Sequence, residues 1–332
     1  MSFVGIIANP ASGKDIRRLV SHATVVNNNE KVSIVRRLLL ALNALGVRRV
    51  EIMPDHFGVG ERALKGLRDR PELVDATSLI DMPIEHTAAD SLRAARYLSE
   101  AGAGCIVVLG GDGTCRIVSK NAGEVPLLPL STGTNNVVPR FIEGTIAGSA
   151  AAYVALHPDT DREKLCQRHK RLLVHVNGET VDQALVEVAL VSSSFVGARA
   201  VWETGSLRQV FVSRAQPTNI GLSSVVGVAH PVDPAHPGGA CVTTAAYGRK
   251  VMVPIAPGSV VPVGIGEIVD MRPGSQYAVD SLRPAVLALD GEREITLFSG
   301  DEASVELDLE GPWIVDVERT LSLAVAEGTF EA

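Results

Sequence analysis

The first half of the chain alternates short apolar runs with stretches in which apolar residues recur at helical spacing. The apolar runs predict strands at 4–8, 47–53, 105–109 and 126–130. The helical spacing predicts helices at 30–45, 87–100, 116–121 and 145–156. Thr87 and Asp90 resemble a capping box that opens the second helix, and Gly46 is expected to end the first. Strands that alternate with helices are typical of a doubly wound parallel sheet, so we expect a Rossmann-like α/β fold in this half.

The second half of the chain lacks helical periodicity and has the pattern of a β-rich domain. Asn177-Gly178 and Asp290-Gly291 each separate two apolar runs, which predicts two hairpins. Strands are expected at 172–176, 181–191, 210–213, 286–289 and 295–298. We therefore expect an all-β, sandwich-like domain after the α/β domain.

The domain limits are predicted from a charged and polar stretch between residues 157 and 170. We expect an α/β domain at 1–160 and a β-rich domain at 161–320. Residues 321–332 would form a C-terminal segment, with a strand or a helix at 321–326, that packs back on the first domain.

Composition narrows the possible functions. The 332 residues are 46% hydrophobic, which suffices for packed cores, and the formal net charge of −7 argues against nucleic-acid or anionic-membrane partners. The four cysteines form no C-x-x-C pair, and no apolar run is long enough to span a bilayer. The N-terminus lacks a signal-peptide pattern, so we expect a cytoplasmic protein that acts on a small molecule.

Candidate chemistry begins at Gly110-Gly111-Asp112-Gly113-Thr114, directly after a predicted buried strand. Glycines permit a sharp turn, and a helix that starts behind them would direct free N–H groups at a phosphate. An Asp inside a phosphate loop would order a magnesium ion or accept a proton from an attacking hydroxyl. A glycine turn in which Asp112 only caps a helix accounts for the spacing equally well.

Two further loops follow predicted strands, and both offer hydroxyl and amide groups. Their candidate phosphate-binding residues are Asn9, Ser12, Lys14, Thr132, Gly133, Thr134 and Asn136. The Walker A pattern and the G-x-G-x-x-G dinucleotide fingerprint are both missing, which argues against a P-loop enzyme and an ordinary dehydrogenase.

Together these motifs resemble the NAD kinase and diacylglycerol kinase superfamily. Gly110-Gly111-Asp112-Gly113-Thr114 matches its signature loop, and Asn9-Pro10-Ala11-Ser12-Gly13 resembles the N-terminal loop of the lipid-kinase branch. The segment 129–136 resembles the N-T-G and P-x-G-T-x-N segments of the two branches, and 289–292 resembles their late Asp-Gly-Glu turn. The stretch 7–20 is similar to predicted ATP-NAD kinases related to acetoin-catabolism protein X.

The resemblance implies an ATP- and Mg²⁺-dependent kinase. The α/β domain would hold the donor phosphates, and the β-rich domain would hold the acceptor. Asp112 would polarise or deprotonate the acceptor hydroxyl, and Glu292 would support the site as a second catalytic residue. Glu187 and Asp290 would contact the acceptor. The family usually forms homo-oligomers, so we expect one here.

The resemblance has one departure that concerns the acceptor. NAD kinases carry an Asn-Glu pair in the β-domain, whereas here Val186 precedes Glu187. NAD therefore remains the first candidate acceptor, with a small hydroxylated or acetoin-related metabolite as the alternative. A nucleotide-sensing protein that binds without turnover is a further alternative.

Overall fold

The computed structural model of the protein describes residues 2–13, 22, 26–133, 135–192, 204–281 and 283–331. Its strands, numbered in chain order, are β1 Val4–Ala8, β2 Val50–Ile52, β3 Thr77–Leu79, β4 Cys105–Gly110, β5 Leu127–Ser131, β6 Cys166–Arg168, β7 Arg171–Val176, β8 Glu179–Ala184, β9 Glu187–Val191, β10 Leu207–Val212, β11 Gly239–Thr244, β12 Lys250–Ala256, β13 Ser259–Met271, β14 Gln276–Ala278, β15 Ala285–Leu289, β16 Glu292–Leu297, β17 Ala303–Asp308 and β18 Trp313–Val315. Its α-helices are α1 Asn28–Ala44, α2 Val59–Lys65, α3 Pro71–Asp75, α4 Ala88–Glu100, α5 Asp112–Ser119, α6 Gly144–Leu156, α7 Ser223–Ala229 and α8 Val317–Ala326. No helix within these residues has the length and apolar character needed to cross a membrane.

The first sheet confirms the doubly wound α/β prediction. Its strand order is β3-β2-β1-β4-β5-β18-β6, and its pairs are parallel except for β18 with β6. Helices α1, α2, α6 and α8 contribute buried residues to the core on one face, and α4 and α5 contribute to the core on the other. Because both faces are covered, the strands are continuous apolar runs rather than alternating ones.

Helix α1 shows how local signals and burial cooperate. The side chain of Asn27 caps its first turn by accepting a hydrogen bond from the Glu30 backbone N–H. Val35, Leu38 and Leu42 are fully buried against the sheet, and each such side chain contributes roughly 1.5–3 kcal/mol of burial free energy. The helix lies within about two residues of its predicted range, as is usual for helix ends.

The second half is a sandwich of two antiparallel sheets, as predicted. One sheet has the order β12-β13-β11-β10-β9-β15-β16, and the other has the order β14-β17-β7-β8. Both predicted hairpins are confirmed, and Asn177, Gly178, Asp290 and Gly291 all have positive φ, as a type I′ turn requires. The apolar residues of the two facing surfaces form a separate buried core.

Two strands from the second half of the sequence pair with the first sheet. Cys166–Arg168 and Trp313–Val315 extend it beyond β5. Helix α8 then packs beside α6, and it buries Ala324 in the core of the first sheet. The limits 1–160, 161–320 and 321–332 stay a prediction.

Three sequence expectations were wrong in detail. The strand predicted at 181–191 is divided into β8 and β9, because the Asp290 carboxylate accepts hydrogen bonds from the backbone between them. The short helix α7 was not predicted; its Ser-Ser-Val-Val sequence has weak helix propensity, and burial on the second sheet overrides it. The helix predicted at 116–121 begins earlier, at Asp112, since an acidic residue is favoured in a first helical turn.

The predicted capping box at Thr87 is only half formed. The Thr87 hydroxyl accepts from the Ala89 backbone N–H, as expected. The Asp90 carboxylate instead accepts from the backbone N–H groups of Glu85 and His86, so it stabilises the preceding turn.

Candidate active site

The predicted phosphate loops meet at the carboxyl ends of β1, β4 and β5. The backbone N–H of Asn9 donates to the carbonyl of Leu109 at 3.0 Å, and that of Thr132 donates to the carbonyl of Gly110 at 2.9 Å. Each bond adds one backbone hydrogen bond to the sheet beyond the end of a strand, so the first and third loops are held to β4. Ligands bind at this edge in open α/β sheets, so the position suits a nucleotide.

Side-chain contacts also join the three loops. The Asn9 amide donates to the Thr114 hydroxyl at 2.9 Å, and the hydroxyls of Ser12 and Thr132 lie 2.7 Å apart. The Asn136 amide donates to the Ser131 hydroxyl at 2.6 Å. These bonds position the predicted residues relative to one another before any ligand arrives.

Close backbone approach explains two of the glycines. A methyl group on Gly133 would lie 3.0 Å from the Gly111 Cα atom and 2.7 Å from the amide oxygen of Asn136. A methyl group on Gly111 would lie 2.9 Å from that same oxygen. Only glycine lets the two loops approach this closely, which leaves their backbone N–H groups available to a phosphate.

Lys31 supports the first loop from beneath, and no sequence pattern predicts this role. Its side chain is fully buried, and its ammonium donates to the carbonyls of Asn9 at 2.7 Å and Ser12 at 3.0 Å. In the sequence it is an ordinary lysine near a helix start. Its charge lies below the loop, where it favours bound anions.

Asp112 lies at the first position of α5, and its carboxylate is held by backbone groups. Val137 N–H donates to both carboxylate oxygens, at 2.9 and 3.1 Å, and Val138 N–H donates to one of them at 2.8 Å. Asp112 thus has a fixed orientation at the mouth of the loop, and it also links the loop to the segment after β5.

Glu292, at the start of β16, faces the glycine loop from the β-rich domain. Its carboxyl carbon lies 3.3 Å from the position that a Cβ atom on Gly113 would occupy. The hairpin turn at Asp290-Gly291 brings this carboxylate across the domain boundary. The two predicted catalytic carboxylates therefore reach the glycine loop from different domains.

Arg116 is the main charged residue that the sequence analysis missed. It is 1% exposed, and its guanidinium forms ion pairs with Asp182 at 3.0 Å and Glu294 at 2.9 Å. Burial alone would lower the pKa of Arg116, but the carboxylates of Asp290, Asp182 and Glu294 raise it above its ordinary value. Its position one helical turn after Asp112 was the available signal, because that places it on the cavity side of α5.

Asp290 lines the same region, but its carboxylate is occupied by backbone donors. It accepts hydrogen bonds from the N–H groups of Leu185, Val186 and Glu187 at 3.0, 2.8 and 3.2 Å. Burial raises the pKa of Asp290 to about 6, against the opposing effects of Arg116 and the three N–H groups. This residue fixes the junction between β8, β9 and the β15–β16 hairpin.

These elements enclose a cavity of about 340 Å³, which we call the loop cavity. Predicted site residues that line it are Asn9, Ser12, Gly111, Asp112, Gly113, Thr114, Gly133, Asn136, Asp290 and Glu292. Gly110, Thr132 and Glu187 are not in its lining: the first two lie directly behind it, and Glu187 is buried in β9. Lys14 and Thr134 lie outside the described residues.

Two histidines of the loop-cavity lining were also missed. The rings of His56 and His86 lie edge to face there, 5.1 Å between centroids. His86 has a φ of 63°, which is uncommon for a residue other than glycine, and Asp90 holds that turn. The sequence places these two residues in separate loops, and only the parallel order of the strands brings them together.

The donor set suits a magnesium ion that arrives with a nucleotide rather than a permanent metal. Among the described residues, no three His, Cys, Asp or Glu side chains are grouped closely enough to hold a metal ion. Mg²⁺ in phosphoryl-transfer sites commonly uses one or two carboxylates together with substrate phosphates. Glu292, which lines the loop cavity, would supply such a carboxylate here.

Comparisons with known proteins agree with this geometry. Residues 4–157 match the model of the ATP-NAD kinase N-terminal domain, and residues 170–310 match that of the acetoin catabolism protein X C-terminal domain. Acetoin catabolism protein X of Cupriavidus necator is 40% identical over 314 residues, covering 92% of this chain and 87% of that protein. The crystal structure of yeast NADH kinase complexed with NADH shares the fold, with a TM-score of 0.50 at 16% identity, over 100% of this chain and 89% of that one.

Proposed function

This chain belongs to the acetoin catabolism protein X family and carries an ATP-NAD kinase N-terminal domain, and from that premise we propose that it is an ATP- and Mg²⁺-dependent kinase. It would transfer a phosphoryl group to a hydroxyl, with NAD as the first candidate acceptor. The observation that carries the proposal is the loop cavity, where three glycine-rich loops and two carboxylates from different domains converge.

Residues of the loop cavity would bind the donor phosphates and neutralise their charge. Backbone N–H groups of the glycine loop and the N-terminus of α5 would hold the donor phosphates. Asn9, Ser12, Thr114 and Asn136 would position the loops and contact the same phosphates. Lys31 would add positive charge from beneath the first loop. Magnesium, when bound with ATP, would neutralise charge on the phosphates.

The transfer itself needs few groups. The acceptor oxygen attacks the terminal phosphorus of ATP, the bond from that phosphorus to the ADP oxygen breaks, and the hydroxyl proton leaves to a base. We assign the base to Asp112, because backbone groups fix the orientation of its carboxylate in the lining of the loop cavity. Glu292 would support the site from the opposite domain. Phosphoryl transfer depends mainly on positioning and charge stabilisation, so a site built from loops is adequate.

A small hydroxylated or acetoin-related acceptor is the second candidate. Val186, which stands where NAD kinases have Asn, is fully buried in an apolar core, and Glu187 beside it is 5% exposed and does not line the loop cavity. The polar wall of the cavity is supplied instead by Arg116, Lys120 and their acidic partners, which suits a compact polar acceptor.

The experiment is formation of NADP from NAD, Mg²⁺ and ATP, followed by release of ADP over a panel of small polyols and hydroxyketones. We expect Asp112→Asn to lower kcat by about 100- to 10,000-fold with ATP affinity retained. Asp159→Asn changes an exposed Asp in a remote turn and is the matched control. Glu292→Gln should show a smaller loss of kcat.

The outcomes separate the candidates. NADP formed by wild type and not by Asp112→Asn would establish an NAD kinase. ADP release with a small acceptor alone would favour the second candidate. ATP binding without turnover on any acceptor would leave a nucleotide-sensing protein, and full turnover in Asp112→Asn would remove the role given to that residue.

We include a cytoplasmic location and a homo-oligomer in the same proposal. Cell fractionation would test the location, and light scattering would test the oligomeric state.

A further inference from the structure

A second cavity, of about 560 Å³, lies on the far side of the segment that holds Asp112, and we call it the edge cavity. It is bounded by β5, β6 and β18 of the first sheet and by 214–216 and 233–235 of the β-rich domain. It shares no lining residue with the loop cavity. The proposed kinase reaction therefore does not use it.

One part of the edge-cavity lining carries the cationic side chains of Arg140, Lys170 and Arg214. Arg140 is exposed, and its side chain forms no hydrogen bond or ion pair with a described residue. The Nε–H of Arg214 is buried without a partner. Its guanidinium donates instead to Nε2 of His169 at 3.1 Å. Such a buried donor is costly to leave unsatisfied, so it favours an acceptor from a ligand.

The positive groups of this part of the lining also act on one another. Burial and then the positive charge of the nearby Arg140 lower the pKa of Arg214, whereas the carboxylates of Asp112 and Asp233 raise it. Lys170 lies beside them, and among the described residues its ammonium donates to the carbonyls of Asp233, His236 and Gly238, at 2.6–3.2 Å. An anion between these groups would relieve the repulsion.

The lining has three acidic residues, of which Glu318 is exposed and the other two accept backbone hydrogen bonds through their carboxylates. The Asp233 carboxylate accepts from the Ala235 backbone N–H at 2.7 Å, and Asp316 caps helix α8. Arg168, which also lines the cavity, pairs with Glu124 and Glu310 instead. Among the described residues, Arg140, Lys170 and Arg214 therefore have no carboxylate in an ion pair.

Another part of the edge-cavity lining is apolar and exposed to solvent. Phe141 is 74% exposed and Ile146 is 46% exposed, and both line the cavity together with Ile142 and Val317. Large apolar side chains together with cationic ones match a ligand that has an anionic end and an apolar body. Inorganic phosphate would leave these apolar side chains uncovered.

From these two parts of the lining we propose that the edge cavity binds a small organic anion with a short apolar body, an alkyl carboxylate or an alkyl phosphate. The anionic end would accept hydrogen bonds from Arg140 and Arg214. The alkyl body would cover Phe141 and Ile146. This site stands independently of the kinase proposal.

The test is calorimetric titration of the full-length protein with hexyl phosphate and with hexanoate, up to about 10 mM, which detects dissociation constants of roughly 1 mM. We expect binding of at least one probe. Arg140→Gln should weaken it about tenfold through the lost charge-assisted bond, while Arg249→Gln, an exposed arginine of β-domain loop 245–249, should leave it unchanged. Phe141→Ser should weaken hexyl phosphate and not inorganic phosphate.

Arg140 and Phe141 are both exposed, so neither change is expected to unfold the protein, and circular dichroism checks this. Stronger binding of hexyl phosphate than hexanoate would identify phosphate esters as the class, and the reverse would identify carboxylates. Absence of binding by both probes would overturn the proposal. Equal affinity in wild type, Arg140→Gln and Phe141→Ser would also overturn it, because the probe would then lie elsewhere.

Discussion

The buried imidazole of His169 makes the stability of this protein sensitive to mild acid. Its Nδ1 lies 2.6 Å from the carbonyl of Lys170, which can only accept a hydrogen bond. Its Nε2 lies 3.1 Å from the guanidinium of Arg214, which can only donate. The two contacts together require a neutral ring with its proton on Nδ1. A second proton on Nε2 would point at Arg214.

The size of the stability loss at acidic pH follows from the pKa of this imidazole ring. Burial, and then the charge of Arg214, lower the pKa of His169 from 6.5 to about 4. The folded state therefore binds this proton less readily than the unfolded state does. The stabilisation is fully present above pH 6.5 and is lost as the pH falls toward 4. A difference of about 2.5 pKa units corresponds to about 3 kcal/mol.

We choose the variant His169→Gln to test this, because the glutamine amide can both donate and accept a hydrogen bond and does not titrate. Urea unfolding is measured for both proteins between about pH 7 and pH 4. The difference in unfolding free energy, wild type minus variant, should fall by up to about 3 kcal/mol over this range. Other titrating groups cancel in this difference. A difference constant to within about 0.5 kcal/mol would refute the reasoning.

Two further predictions concern the loop cavity. Arg116→Met should lower the unfolding free energy by about 1.5–3 kcal/mol, because it removes a buried guanidinium that pairs with Asp182 and Glu294, while Asp182 keeps its pair with Lys120. Urea unfolding measures this, and a loss below about 1 kcal/mol would show that water replaces the guanidinium. Gly133→Ala should weaken ATP binding at least tenfold, because its methyl group would press 3.0 Å against the Gly111 main chain. Titration with ATP measures this, and unchanged affinity would show that the two loops can separate freely.

Most of the fold prediction rested on local sequence patterns, namely apolar runs and turn dipeptides. The apolar run 105–109 became the central strand β4 because a continuous apolar segment can be buried on both faces of a parallel sheet. The Asn-Gly and Asp-Gly pairs became type I′ hairpin turns because few other pairs adopt positive φ at two successive positions. These features depend on neighbouring residues alone, so a single sequence reveals them.

Contacts between residues that are far apart in the sequence were harder to predict. Asp290 was expected to contact the acceptor, yet its carboxylate accepts three backbone N–H groups about a hundred residues away, and it thereby divides a predicted strand. Arg116 and Lys31 looked like ordinary helix-surface residues. Their burial follows from the packing of other elements over them, which no local pattern encodes.

By itself, the sequence determined the two fold classes and the position of the glycine loop with Asp112, since each depends on short-range spacing, whereas Glu292 was predicted only through the family resemblance. Only the tertiary structure decided which of these groups share a cavity and what holds them there. The order of the strands brought His56 and His86 to one wall, and the packing of the β-rich domain on the first sheet created the edge cavity. The physical reason is that side-chain burial and charge pairing depend on distances through space, which residue spacing along the chain does not specify.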